Sequence, residues 1–310
     1  MSLLTAYIAR RLLIAIPTLI AVSLIVFMMA YLSPSDPVTI MLGEKANPEL
    51  VQRLKHEYGL DRPAWAQYLD FVRKAGQGTF GLSFRYKGRT VSDIIGPGLP
   101  VSGSLALIAV TIMVTVGIPF GIAAALKRDT LIDRLCLFFT VVNISVPNFV
   151  MAFLFIYILA LKLKWLPVAG WGTPKHYVMP GLILGLRATA FLTRLTRSSM
   201  LDVMRQDYIR TARAKGLAAK VVIARHALKN TLIPVVTVIG SAFGALITGS
   251  FIIEQIFAVP GIGRYSVQSV LQRDYPVVQA TVLLIATVYV ITNLVVDIIY
   301  TFIDPRIKYS

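Results

Sequence analysis

The residues able to do covalent chemistry are few: three histidines, one cysteine and fifteen acidic residues in a chain of 310. His56-Glu57 begins like the zinc-binding pattern H-E-x-x-H, but Leu60 stands where the second histidine is required. There is no G-x-S-x-G nucleophile turn, no pair of aspartates at catalytic spacing and no G-x-x-x-x-G-K-[ST] phosphate loop. Cys136 is solitary, which removes both a disulfide framework and Cys/His metal spacing. The chain is thus read as holding no catalytic residue, no metal and no cofactor, and an intramembrane hydrolase would lack its working groups. The polar residues that stand out lie inside apolar sequence: Arg187, Asp297, and Asn143, Ser145 and Asn148 around Pro147.

The elements that must carry these groups are membrane spans. The chain is 56% hydrophobic and 15% charged, with a mean hydropathy of +0.71. Its apolar residues fall in blocks near the ~20 residues needed to cross a bilayer. Five such blocks, 12–32, 101–126, 135–161, 231–253 and 277–302, are clear, and a sixth at 178–195 is weakened by Arg187 and small polar residues. The expected fold is all-α, a polytopic membrane protein of six transmembrane helices. With six spans, the segments on the amino-terminal side carry sixteen Lys and Arg and the opposite short loops carry five. Positive charge stays on the cytoplasmic side, so both termini are expected there. The formal charge of +16 is spread between apolar blocks and forms no basic domain, which argues against nucleic acid and for a lipid bilayer.

The organisation that follows is an N-terminal segment and first span over 1–32, an external subdomain over 33–100, a five-helix core over 101–302 with a cytoplasmic loop at 194–230, and a cytoplasmic tail over 303–310. The first block, about 21 apolar residues long, exceeds a signal-peptide core and reads as an uncleaved anchor. Within 33–100 a short helix is expected near Glu49–Tyr58, ending at Gly59.

Three segments carry the remaining information. "DYIRTARAKGLAAKVVIARHALKNTLIP" at 207–234 reads as two short amphipathic helices. The first, over 208–215, carries Arg210 and Arg213 on one face and stops at Gly216 in a left-handed turn. The second places Leu217, Val221, Ala224 and Leu228 on one face. Such a segment either lies on anionic headgroups or docks on a partner. In "NISVPN", Pro147 removes a backbone bond and kinks the third span, and its polar neighbours either satisfy the freed groups or line a wet path. In "GSAFGALITGS", Gly240, Gly244 and Thr248 form one ridge and Ser241, Ala245 and Gly249 the next, suited to close helix packing within the chain or between chains. Arg187 and Asp297 lie at different depths and are not expected to pair; Arg187 is the candidate for a solute path, and Asp297 for a contact near the cytoplasmic edge. The 254–276 stretch is broken by "VPGIG" and reads as an external turn.

The 207–234 segment resembles the cytoplasmic EAA loop of importer-type ABC permeases, in the form found in the dipeptide and oligopeptide branch. Arg210, Thr211, Ala212 and Gly216 stand at the Glu-Ala-Ala and glycine positions; the acidic residue is absent, and "RTARAKG" and "RHALKN" are the branch's own version. Similar matches run through "RRLLIAIPTLIAVSLIVF" at 10–27, "YGLDRP" at 58–63, "FGLS" at 80–83, "FAVPGIGR" at 257–264 and "RDYPVVQA" at 273–280. The resemblance implies a non-catalytic permease subunit of the inner membrane, paired with a second homologous permease, two cytoplasmic ATP-binding subunits that use ATP and Mg, and an external solute-binding protein. It implies that Tyr208, Ile209, Arg210, Thr211, Ala212, Arg213, Ala214, Lys215 and Gly216 couple to an ATPase subunit. It also implies that 254–276 folds partly back toward the membrane. Di- and oligopeptides are the expected cargo; glutathione, a nickel complex or an oligosaccharide are alternatives within the class, and an ion-coupled secondary transporter is the alternative outside it.

Overall fold

The computed structural model describes residues 3–33, 37–42, 47–86 and 88–303. Its helices, in chain order, are α1 (Leu3–Tyr31), α2 (Pro37–Leu42), α3 (Pro48–Glu57), α4 (Ala64–Gly76), α5 (Val91–Ile95), α6 (Gly98–Leu126), α7 (Leu131–Ser145), α8 (Asn148–Phe155), α9 (Pro174–Met204), α10 (Asp207–Ala214), α11 (Ala219–Val221), α12 (Leu228–Gly249), α13 (Phe251–Ile256), α14 (Ile262–Leu271) and α15 (Tyr275–Ile303). Two π-helical stretches follow α8 and α11, at Ile156–Lys162 and Val222–Ala227. Among the described residues the sole β feature is an isolated bridge between Leu82 and Thr90. The fold is all-α, as expected, and apart from Ile303 the expected C-terminal tail lies outside the described residues.

The chain divides into two compact units, one within Met1–Ser102 and Val259–Ile291, the other within Gly103–Ala258 and Thr292–Ser310. In the first, α4 lies on α1: Phe27 packs edge-on to Tyr68 at 5.4 Å and stacks with Phe71 at 6.4 Å. The Ser23 and Tyr68 hydroxyls hydrogen-bond at 2.9 Å. The expected helix before Gly59 is α3, whose start is capped by Asn47 accepting from the Glu49 amide at 3.0 Å. It ends at Tyr58, with Gly59 at φ +68°. From its last turn the His56 imidazole bonds Asp61 at 2.7 Å and holds that carboxyl below its ordinary value. Val91, Ile94 and Ile95 of α5 bury against Val277 and Ala280 of α15. The buried Asp274 accepts from the Ser83 hydroxyl and the Phe84 amide, fixing the loop after α4.

The second unit is organised around α9, which packs against α7, α8 and α12. This is the span that was weak in the sequence. It is nevertheless one of the three longest candidate spans, and 56% of its most apolar window is buried, against 17% for α1. Protein takes the place of lipid around it, so its outer face need not be apolar. It also runs to Met204, well into the expected 194–230 loop, and the following span starts at Ala219. The loop between helices is therefore short and occupied mostly by α10. Close contact with α6 depends on glycines: a Cβ on Gly121 would lie 2.5 Å from Thr196 Cβ, and one on Gly185 would lie 2.9 Å from Ile112 Cβ.

The third span is broken and not merely kinked. Val146 precedes Pro147, whose ring disfavours helical geometry for that residue, and it adopts φ −86° and ψ 123°. The helix ends at Ser145, α8 restarts at Asn148, and the two pieces meet at 102°. Among the described residues, five helical stretches are long and apolar enough to cross a bilayer on their own, and this bent pair, counted as one broken span, is the sixth.

Candidate functional site

Two places in the second unit collect the residues singled out by sequence. The first is a cleft of 420 Å³ between α7, α8, α9 and α12. Asn148 enters it from the first turn of α8, Arg187 and Arg194 from α9, and Ala245 and Gly249 from α12. Arg187, Phe191 and Arg194 follow the spacing i, i+4, i+7 and so share one face of α9. All three are exposed, whereas twelve other residues of α9 are buried.

Of the four candidates for a wet path, the cleft brings together Asn148 and Arg187. Asn143 is 8% exposed, and its side-chain amide donates to the Phe139 carbonyl one turn back at 2.8 Å, so it serves the helix that Pro147 interrupts. Ser145 is exposed but is not part of the cleft wall, and neither is Asp297, which is half-buried on α15. The small-residue ridges of α12 separate in the same way. A Cβ on Gly240 would collide with Val296, and Gly244 is buried, so that ridge packs within the chain. Gly249 has no atom near its missing side chain and faces the cleft.

The second place is α10. Its end is a Schellman turn, with the Gly216 amide donating to the Arg213 carbonyl at 2.9 Å and the Leu217 amide to the Ala212 carbonyl at 3.4 Å. Gly216 stands at φ +75°, the left-handed conformation expected of it. Ile209 and Ala212 are buried in a core with Ala125 of α6, Met200 of α9, and Val222 and Ala227. Ile209 was expected to supply apolar anchoring toward another subunit; instead it fastens α10 to its own chain. Tyr208, Arg210, Thr211, Arg213, Ala214, Lys215 and Gly216 remain on the outer side. Tyr208 accepts a hydrogen bond at 2.9 Å from the Asn230 side-chain amide.

The helix after Gly216 buries a different face from the one its α-helical spacing suggested. Leu217, Val221 and Ala224 are exposed, and the buried positions are Val222, Ala227, Thr231 and Val235. The interval of five between the first two is the π turn, whose i→i+5 bonding shifts the register by one residue before α12 resumes intervals of four.

Three features were missed in the sequence. Arg194 had been assigned to a loop; its spacing of seven from Arg187, two helical turns, was the available signal. Arg197 had been assigned there too, yet it grips Asp133 of α7 with two bonds, Nε to Oδ1 at 2.7 Å and Nη2 to Oδ2 at 2.8 Å. The Asp129 amide adds a third bond to Oδ2 at 3.0 Å. The α6–α9 contact was missed as well, although the glycine pairs 117/121 and 181/185, each a G-x-x-x-G, were an available signal for it.

Comparison with known proteins places this architecture. Residues 117–309 match the family described as Binding-protein-dependent transport system inner membrane component. Residues 4–106 match the N-terminal region of the corresponding membrane component. The chain is 39% identical to the dipeptide transport system permease protein DppB of Alkalihalophilus pseudofirmus, covering 98% of this chain and 99% of that protein. It is 40% identical to the glutathione transport system permease protein GsiC of Escherichia coli K12, again covering 98% and 99%. The inward-facing MetNI methionine ABC transporter shares the fold over 68% of this chain and 96% of the matched one, with a TM-score of 0.57 at 16% identity. An amino acid ABC transporter with histidines does so over 77% and 99%, with a TM-score of 0.52 at 17% identity. The chain belongs to the binding-protein-dependent transport system inner membrane components, as a multi-span permease subunit of the peptide-importer branch of ABC transporters.

Proposed function

We propose that this chain forms half of a path by which di- and oligopeptides enter the cell, the other half coming from a second, homologous permease. An external solute-binding protein delivers the cargo to the side bearing residues 33–100. Two ATP-binding subunits, which hold ATP and Mg, act from the side bearing both termini and engage the outer face of α10, with Arg210, Arg213 and Lys215 meeting acidic groups at the rim. This chain itself hydrolyses nothing.

The observation that carries the reading is the cleft: two exposed arginines and a half-buried asparagine within a spanning helix bundle, where contact with lipid is costly and contact with solute or protein is not. The named cargoes of the two relatives, a dipeptide and glutathione, are both small peptides with free carboxylates. Two fixed guanidinium groups disfavour a cationic nickel complex. The deciding experiment is native purification of the cognate binding protein, identification of its bound solute by mass spectrometry, and ATP-dependent uptake of that solute by the reconstituted transporter. Short peptides are expected. A bound sugar or metal chelate, with no affinity for peptides, overturns the assignment.

A further inference from the structure

Helix α9 treats its arginines in two ways. Arg197, at the cytoplasmic-loop end of the helix as read from sequence, is matched by Asp133 with paired hydrogen bonds. Arg187 and Arg194 line the cleft, and among the described residues no acidic side chain forms any part of its wall. Arginine does not lose its proton in a protein, so each guanidinium in the cleft stays charged, and a cargo that displaces water from it must itself supply an anion or acceptors. Its planar fork fits a carboxylate with two parallel bonds. The two side chains start seven residues apart, about 10.5 Å along the axis at ~1.5 Å per residue. Across from them Ala245 and Gly249 leave room for a peptide backbone to approach.

We propose that Arg187 and Arg194 are specificity residues that read the free carboxylate of the cargo, holding it first at one guanidinium and then at the other as it moves along α9. The inference rests on the peptide-permease reading above and sharpens it: the path discriminates by charge, independently of the binding protein. A cargo whose carboxylate is capped leaves both guanidinium groups desolvated and unmatched, and is carried poorly.

The test uses proteoliposomes containing the complete transporter, this chain with its partner permease and ATP-binding subunits. ATP-driven uptake of L-alanyl-L-alanine is compared with that of L-alanyl-L-alaninamide, each supplied with the cognate binding protein at a concentration that fills it. The wild-type transporter is expected to favour the free acid by ~10-fold or more, the usual effect of losing a charged hydrogen-bond partner. Arg187→Gln and Arg194→Gln should each lower that ratio toward one by slowing the acid, and Arg187→Lys should retain part of it. A purely structural arginine would change both uptakes together and leave the ratio alone. An unchanged ratio in both glutamine variants overturns the proposal. So does loss of assembly in all three variants, which would mean that the arginines pair with a neighbouring subunit. If the wild type imports the solute native to its binding protein but neither dipeptide, the peptide reading itself falls, and this inference with it.

Discussion

Removing one side of the Asp133–Arg197 pair is expected to destabilise the second unit by several kcal/mol, and removing both sides by much less. Asp133 is 3% exposed and Arg197 20%, so solvent screens the pair little. Two short charge-assisted bonds, at ~1.5–3 kcal/mol each, set the gross scale, and a lone charge left buried usually costs ~3–5 kcal/mol. Chains unfolded within a membrane find other partners, which reduces such values. On this basis Asp133→Leu should cost ~2–3 kcal/mol. Arg197→Met should cost ~3–4 kcal/mol, because the more deeply buried carboxylate then keeps only the Asp129 amide. The double variant Asp133→Leu with Arg197→Met should fall within ~1–2 kcal/mol of wild type, since two apolar groups leave nothing unpaired. Equilibrium unfolding in mixed micelles, run as a double-mutant cycle, measures this directly. Single effects that simply add, within ~0.5 kcal/mol, would show that the bonds seen between α7 and α9 contribute no coupling and would refute the reasoning.

Gly121→Leu should destabilise the α6–α9 contact by ~1–3 kcal/mol or more through overpacking against Thr196, whereas Gly249→Ala, with open space at its position, should leave unfolding within ~0.5 kcal/mol of wild type. Ile209→Ala should lower the stability of this chain by ~2–4 kcal/mol, while the outward-facing Arg213→Ala should leave stability unchanged and weaken ATPase association in a pull-down. Gly216→Val, forced into φ +75°, should cost ~1–2 kcal/mol locally and lower uptake per ATP hydrolysed; unchanged assembly, hydrolysis and uptake would count against the role given to α10. A cysteine placed at Lys55 or Arg85 should react with an impermeant thiol reagent outside intact cells and one at Lys215 should not, the reverse pattern inverting the assigned topology.

What the sequence made legible follows from how locally each feature is encoded. Gly59 and Gly216 end helices where their residue type alone requires it, and Pro147 interrupts the third span at its own position. The size of that interruption was not legible, because Pro147 constrains Val146 but the direction of α8 is set by what it packs against. The weak fourth span misled for a related reason. Hydropathy measures fitness for lipid, and α9 is wrapped in protein, so Arg187 weakened the apparent span and Arg194 and Arg197 lay where it was closed, near 195, when the helix continued to Met204. The buried face after Gly216 was hidden by a single π turn, which no residue between Val222 and Ala227 announces by its type. The cleft itself could be assembled only in part: Asn148 and Arg187 were legible as polar residues in apolar sequence, but their meeting depends on the break at Val146.

One helix joins the two candidate places. Met200 of α9 is fully buried against Ile209 and Ala212, so α10 cannot shift as a body without displacing it. Three residues earlier Arg197 holds α7, and on the next turns toward the N-terminus Arg194 and Arg187 face the cleft. From Met200 to Arg187 is thirteen residues, about 20 Å of continuous helix at ~1.5 Å per residue. Thr189, Thr193 and Thr196 are buried along the same length, and Gly117 and Gly121 bring α6 against it with no room to spare. Close-packed contacts of this kind move together and do not deform gradually. On the coupling role proposed for α10, a displacement of that helix would pass through Met200 to α9 and so reach both the cleft arginines and the α7 contact.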